Sequence, residues 1–199
     1  MHYTLFDTPV LKTLLYGGSR LYMFVFRWKK EGAAPDLPKY VMIAAPHTSN
    51  WDLVMTLIMA FAFRIKVFWI GKHTIFKPPF GTICRWLGGI PVNRTRSGDT
   101  VAQSVQVFHD HEELIMVIPP EGTRKKVRYW KTGFYYIAHG ANIPIVLGYV
   151  DYQRKVGGIG PAILPTGNID TDMDIIKRFY QGIMGKHNDQ WSHEGIAIK

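Results

Sequence analysis

The chain has a single cysteine, Cys84, among its 199 residues. No intrachain disulfide can form, so the fold must rest on a packed core, and a reducing cytoplasmic location fits. Long apolar runs are scarce as well. The longest candidate, L-V-M-T-L-I-M-A-F-A-F at 53–63, falls short of the ~20 residues that cross a bilayer and predicts a buried core helix. The opening M-H-Y-T-L-F-D-T-P lacks the basic n-region and apolar core of a secretory signal. Acidic residues are few: 15 Asp and Glu stand against 24 Lys and Arg, a net charge of +9. That balance favours acidic partners, whether nucleic acid, anionic membrane or phosphorylated small molecules. No repeat, low-complexity segment or linker divides the chain, and its length suits one domain.

What is present alternates between short apolar runs and helical patterns. Strands are predicted at 40–45, 65–70, 90–93, 114–118 and 143–150. Helices are predicted at 50–63, 78–89, 98–112 and 172–184. This alternation implies an α/β fold: a mainly parallel central sheet flanked by helices. Residues 1–32 read as an N-terminal amphipathic segment and 33–199 as a single α/β domain. The stretch L-K-T-L-L-Y-G-G-S-R-L-Y-M-F-V-F-R-W-K-K mixes aromatics with Lys12, Arg20, Arg27, Lys29 and Lys30. Such a segment can lie on an anionic bilayer, apolar side down, or pack on the domain as an ordinary amphipathic helix.

Ligands of open α/β sheets collect at the carboxyl ends of the strands, and the unusual polar residues fall there. The first strand runs into P-H-T-S-N-W-D at 46–52. Ser49 or Asn50 can cap the next helix, and Asp52 suits its first turn, but neither explains His47. With the helix starting at Ser49 or Asn50, His47 sits in the turn and the Asp52 side chain leans back toward it. The carboxylate can then take one ring nitrogen and leave the other as a proton acceptor, the unit that activates a hydroxyl. Ser49 and Thr48 are explained as caps and Cys84 as a buried thiol, so the hydroxyl belongs to the substrate. After the fourth strand comes P-P-E-G-T-R-K-K-V-R at 119–128. Gly122, Thr123 and Arg124 there, with Arg94 and Arg96 after the third strand, suit phosphate. Glu121 among these cations can position Arg124 or bind an acceptor hydroxyl.

These blocks resemble the glycerolipid acyltransferases similar to 1-acylglycerol-3-phosphate acyltransferase. H-T-S-N-W-D matches the H-x4-D box, G-G-I-P-V-N-R the second block, P-P-E-G-T-R the third and I-P-I-V the fourth, in order across 41–150. The segment G-K-H-T-I-F-K-P-P-F-G between the first two is similar as well. Pro119 stands where the third block usually has Phe, Lys125 where a small polar residue often follows, and Asn93 where Asp often precedes Arg. The resemblance implies His47 as general base oriented by Asp52. It implies a substrate site of Arg94, Glu121, Gly122, Thr123 and Arg124, with Lys72 also on a phosphate. An apolar groove for the acyl chain would be lined from 53–63, 76–90 or the N-terminus. No metal and no cofactor is implied. The implied partners are acyl-CoA or acyl-carrier protein as donor, a lysophospholipid acceptor and an anionic membrane surface, with no nucleic acid. The implied location is cytoplasmic, peripheral to the inner face of the cell membrane.

Three other readings stay open on residues alone. A non-catalytic lipid- or nucleic-acid-binding protein would not need His47 and Asp52 together. A thioesterase on the same fold would admit water where the acceptor sits. A metal-dependent hydrolase would draw on H-D-H-E-E at 109–113, but on a helix His109 and His111 point about 200° apart.

Overall fold

The structure, a computed structural model, describes residues 2–93, 97–187, 189 and 197–198. A 3-10 turn at Leu5–Asp7 leads into α1 (Pro9–Val25), β1 (Lys29–Gly32), β2 (Lys39–Ala45), α2 (Trp51–Phe63) and β3 (Val67–Lys72). Then come a 3-10 turn at His73–Phe76, α3 (Gly81–Trp86), β4 (Gly89–Val92), α4 (Ser97–His109) and β5 (Leu114–Ile118). The chain ends with β6 (Tyr129–Trp130), α5 (Gly133–Ala141), β7 (Ile145–Asp151), β8 (Val156–Ile163), α6 (Ile169–Tyr180) and β9 (Ala197–Ile198).

Seven strands form one sheet in the order β1-β8-β7-β2-β5-β3-β4. Every neighbouring pair is parallel except β7 with β8. The mainly parallel α/β sheet expected from the alternation is thus observed, with an antiparallel turn-back that reverses β8 and β1 at one edge. The central strand β2 alternates its side chains across the sheet. Val41, Ile43 and Ala45 join Phe134, Ile137, Met173 and Tyr180 from α5 and α6 on one face. Tyr40 and Met42 join Ala60 and Phe61 of α2 on the other. The sheet is therefore buried on both sides, as parallel sheets require.

Several predicted boundaries move. The second helix is only Gly81–Trp86, and α4 stops at His109 rather than 112. His111 lies beyond that end and its Nδ1 donates to the Val107 carbonyl at 2.7 Å. The last helix starts at Ile169, where Asn168 accepts the Thr171 N–H and Asp170 and Asp172 sit in the first turn. The sequence pattern does not mark α5, β1, β6, β8 or β9. Helix α2 is not buried all round: Met55, Met59 and Phe61 are buried, but Leu53 and Val54 are exposed, Leu53 where it lines a cleft.

The N-terminal residues pack onto this framework. Leu5 and Phe6 are buried in the α2 layer, and β1 pairs with β8. α1 begins with Pro9 in its first turn, where its missing N–H costs nothing. It lies along α2 and buries Ser19 and Met23. Its other side shows Val10, Leu14, Leu21, Phe24 and Val25 to solvent. At 100° per residue these residues share one face, opposite the buried one. No helix among the described residues is long and apolar enough to cross a membrane.

Candidate active site

Strands β7, β2 and β5 are consecutive and parallel, so their carboxyl ends open side by side. The loop after β2 carries His47, the loop after β5 carries Glu121 to Arg124, and the turn after β7 carries Tyr152. The fold thus gathers at one edge groups spread over 106 residues of sequence.

Asp52 organises this centre. Its Oδ2 lies 3.1 Å from His47 Nδ1 and accepts the backbone N–H groups of Thr48 and Ser49 at 2.8 Å each. Its Oδ1 accepts the Tyr152 hydroxyl at 2.7 Å. Burial alone would push the Asp52 carboxyl up, but hydrogen bonds from His47, Tyr152 and the Ser49 N–H outweigh it and hold it below its ordinary value. A carboxylate kept ionised on Nδ1 leaves Nε2 of a neutral His47 as the lone-pair nitrogen. Of the two expected caps, Ser49 supplies a side-chain bond at the helix start and Asn50 does not. Ser49 Oγ accepts the Trp51 N–H at 3.1 Å, while Asn50 precedes the helix with no capping bond from its side chain. Asn50 Oδ1 instead accepts from Arg124 Nη1.

Glu121 lies beneath this loop. It is 4% exposed, and its Oε1 accepts the His47 backbone N–H at 2.9 Å. Burial pushes its carboxyl up to about 7, against the opposing pull of the His47 N–H. Gly122, Thr123, Arg124 and Lys72 line the cleft above, whereas Glu121 is not among its lining residues. Gly122 has φ +64, and a Cβ there would fall 2.8–2.9 Å from the side chain of Lys131, which also lines the cleft. Thr123 Oγ1 accepts the Lys125 N–H at 3.4 Å. Arg94 lies outside the described residues. Asn93, just before it, donates its backbone N–H to Gln103 Oε1 at 3.0 Å, and its carbonyl accepts Gln103 Nε2 at 3.2 Å and Thr100 Oγ1 at 3.3 Å.

The cleft holds about 2330 Å³ and passes from these polar groups to apolar walls between α2 and the sheet, among them Leu53, Leu57, Ala60, Phe63 and Val67. That exceeds an ordinary small-molecule pocket of ~300–1,000 Å³ and has room for a long apolar chain. Of the segments expected to line it, α2 does so; among the described residues no lining group comes from 76–90 or from α1.

A sequence profile of the acyltransferase family matches residues 26–147, the stretch that holds His47, Asp52, Glu121 and the 122–124 loop but not Tyr152. The chain belongs to the acyltransferase family. No curated protein matches it in sequence. Among solved structures it is similar to the 1-acyl-sn-glycerophosphate (LPA) acyltransferase PlsC from Thermotoga maritima, with a TM-score of 0.58 and 14% identity. That match covers 85% of this chain and 78% of the other, and at such identity it is a likeness of fold.

Sequence reasoning reached His47, Asp52, Glu121 and the 122–124 loop because they fall in short polar blocks after apolar runs. It missed Tyr152 and Lys131. Tyr152 does follow a predicted strand, at a carboxyl end. Nothing local marks its hydroxyl as different from any other tyrosine.

Proposed function

We propose that this acyltransferase moves a fatty acyl group from acyl-CoA or acyl-carrier protein to the hydroxyl of a lysophospholipid, with 1-acylglycerol-3-phosphate as the acceptor. The observation that carries this reading is the His47 Nδ1 to Asp52 Oδ2 contact of 3.1 Å at the lip of an apolar cleft that Arg124 also lines. His47 Nε2 takes the proton of the acceptor hydroxyl as its oxygen attacks the thioester carbonyl. When the tetrahedral intermediate collapses, the carbon–sulfur bond breaks and the proton passes from His47 to the departing thiolate. Asp52 keeps the imidazole in the required tautomer. Arg124, Thr123, Lys72 and Arg94 serve the acceptor phosphate, with Gly122 letting the backbone come close. Glu121 serves the same site from below, by holding the His47 backbone. The acyl chain occupies the walls under α2.

The exposed face of α1 fits an anionic membrane surface. Val10, Leu14, Leu21 and Phe24 supply the apolar side, and Lys12, Arg20, Arg27, Lys29 and Lys30 supply cations for headgroups. A lysophospholipid acceptor resides in such a surface, so docking brings enzyme and substrate together.

The test is release of free thiol from long-chain acyl-CoA or acyl-carrier protein, with and without 1-acylglycerol-3-phosphate, by wild type and His47→Ala. Acceptor-dependent release with phosphatidate as product, lost in the variant, is expected. Acceptor-independent release would mean a thioesterase, and folded protein inert across donors and lysolipids would overturn the reading.

A further inference from the structure

Asp52 is the most heavily bonded side chain of the site, and one of its four donors stands outside every block that led to the acyltransfer reading. Tyr152 comes from the turn after β7, on the side of β2 away from β5. Its hydroxyl reaches Asp52 Oδ1 at 2.7 Å, across 100 residues of sequence. The other oxygen, Oδ2, already serves His47, Thr48 and Ser49. Oδ1 would otherwise be a charged oxygen on a residue that is only 6% exposed, and such an oxygen needs a donor.

The tyrosine is itself held. Its ring stands edge-on against Trp28, with centroids 5.4 Å apart and planes at 88°. Trp28 lies just beyond the end of α1 at Val25, and its backbone N–H donates to the Met23 carbonyl. The Tyr152 N–H donates to the Met184 carbonyl at 3.0 Å, in the segment after α6. A few residues on, the His187 N–H donates to Thr48 Oγ1 at 3.2 Å. Two distant parts of the chain thus fix where the Tyr152 hydroxyl points, and that hydroxyl fixes the Asp52 carboxylate from the side opposite His47.

We propose that Tyr152 is a positioning residue of the acyltransfer centre, acting on His47 only through Asp52. This rests on the reading of His47 as the base. The tyrosine does two things. It removes the rotational freedom that Asp52 would have about its end, so Nδ1 meets Oδ2 squarely. It also draws negative charge toward Oδ1, which moderates the pull of Oδ2 on the Nδ1 proton. The titratable groups facing Asp52 are His47, Tyr152 and Glu121, with Tyr22 beyond Tyr152. Burial, and the bond to Asp52, push the Tyr152 hydroxyl well above its ordinary value, so it stays a donor at any working pH.

The deciding variant is Tyr152→Phe, which keeps the ring and its packing on Trp28 and removes only the hydroxyl. It should lower kcat about tenfold while leaving KM for both substrates within about twofold. With Oδ1 stripped of its donor, Asp52 binds the Nδ1 proton more strongly. The low-field NMR resonance of that proton should move from its wild-type position, and the acid limb of the kcat profile should shift to higher pH. In an Asp52→Asn background, adding Tyr152→Phe should change the residual rate by less than about twofold, because the route through the carboxylate is already cut. A Tyr152→Phe protein with wild-type kcat, pH profile and Nδ1–H resonance would overturn the proposal. So would a loss that adds in full to that of Asp52→Asn, since Tyr152 would then act by another path. The resonance is read without turnover. Folded wild type that transfers nothing would sink the acyltransfer reading, and the resonance would still decide what Tyr152 does.

Discussion

The side chain of Glu121 grips the backbone of His47: its Oε1 accepts the His47 N–H at 2.9 Å, from the loop after β5 to the loop after β2. The partner oxygen, Oε2, is buried without a hydrogen bond among the described residues. A carboxyl so placed is easier to hold neutral than charged, and burial pushes it from 4.5 up to about 7. Across that window, from about pH 4.5 to about pH 7, the folded protein retains a proton that the unfolded chain has lost. Stability contributed by this group therefore falls as pH rises through the window. The total is roughly 3 kcal/mol. Glu121→Gln keeps an acceptor for the His47 N–H and cannot ionise. The variant's stability relative to wild type should rise by about 2–3 kcal/mol between pH 4.5 and pH 8. Urea unfolding of both proteins at the two pH values checks this, and parallel pH dependences would refute it.

Gly122 answers to two constraints at once. Its φ of +64 is one that L-residues rarely adopt, and the space where a Cβ would sit is taken by the Lys131 side chain. Gly122→Ala should cost about 1–2 kcal/mol from backbone strain. Because the end of Lys131 is flexible, it can yield, and the cleft wall then shifts. Under the proposed function the variant should raise the acceptor KM more than the donor KM. Thermal unfolding and initial-rate kinetics with each substrate varied separate the two effects.

The parts of this design that were legible in sequence are those written locally. Strands β2, β3, β5 and β7 are apolar runs, and a strand buried on both faces must read that way. β8 was hidden because V-G-G-I-G-P-A-I lacks the bulk of a strand. Its glycines make room for neighbours, since a Cβ at Gly157 would fall 2.3 Å from Met59 Sδ and one at Gly158 2.2 Å from the Tyr149 ring. β1, K-K-E-G, is an edge strand whose charges disguise it. α5 buries Phe134, Ile137 and Ala138 at helical spacing, but Gly133 and Gly140 argue against a helix there. At the site, His47 and Asp52 sit five residues apart and can be paired on paper. Tyr152 and Asp52 are paired only by the order β7-β2 in the sheet, which no local pattern encodes.

Asp52 carries more than the orientation of one ring. Its Oδ2 also ties the N–H groups of Thr48 and Ser49, so it shapes the whole loop from 47 to 52. Asp52→Ala should strand those donors and the Tyr152 hydroxyl together, costing about 3–5 kcal/mol of stability. Asp52→Asn is the sharper probe of chemistry. It can keep the shape of the side chain but offers an amide where donors expect an acceptor, and the tautomer of His47 is no longer enforced. Acyl transfer should fall by at least about 10³-fold, with a smaller loss of stability than in Asp52→Ala. Denaturant unfolding ranks the two variants, and single-turnover thiol release measures the rate.

The outer face of α1 presents a different kind of problem, because its large apolar residues stand mostly exposed. Phe24 is 82% exposed and Leu21 62%, one helical turn apart on the same face as Val10 and Leu14. Water would select against such a face unless something covers it part of the time. Replacing Leu21 and Phe24 by Glu leaves the buried Ser19 and Met23 side untouched. Folding stability should therefore change by no more than about 1 kcal/mol. Binding to vesicles that contain anionic phospholipid should fall by at least tenfold, from lost apolar burial and from charge repulsion at the headgroups. Transfer to lysophospholipid carried in those vesicles should fall in step. Transfer to a short-chain acceptor free in solution should not, because the His47 centre lies on other elements. Vesicle cosedimentation and the two rate assays check the three outcomes separately. Equal losses on vesicle-borne and dissolved acceptors would mean that α1 supports the active centre itself rather than docking.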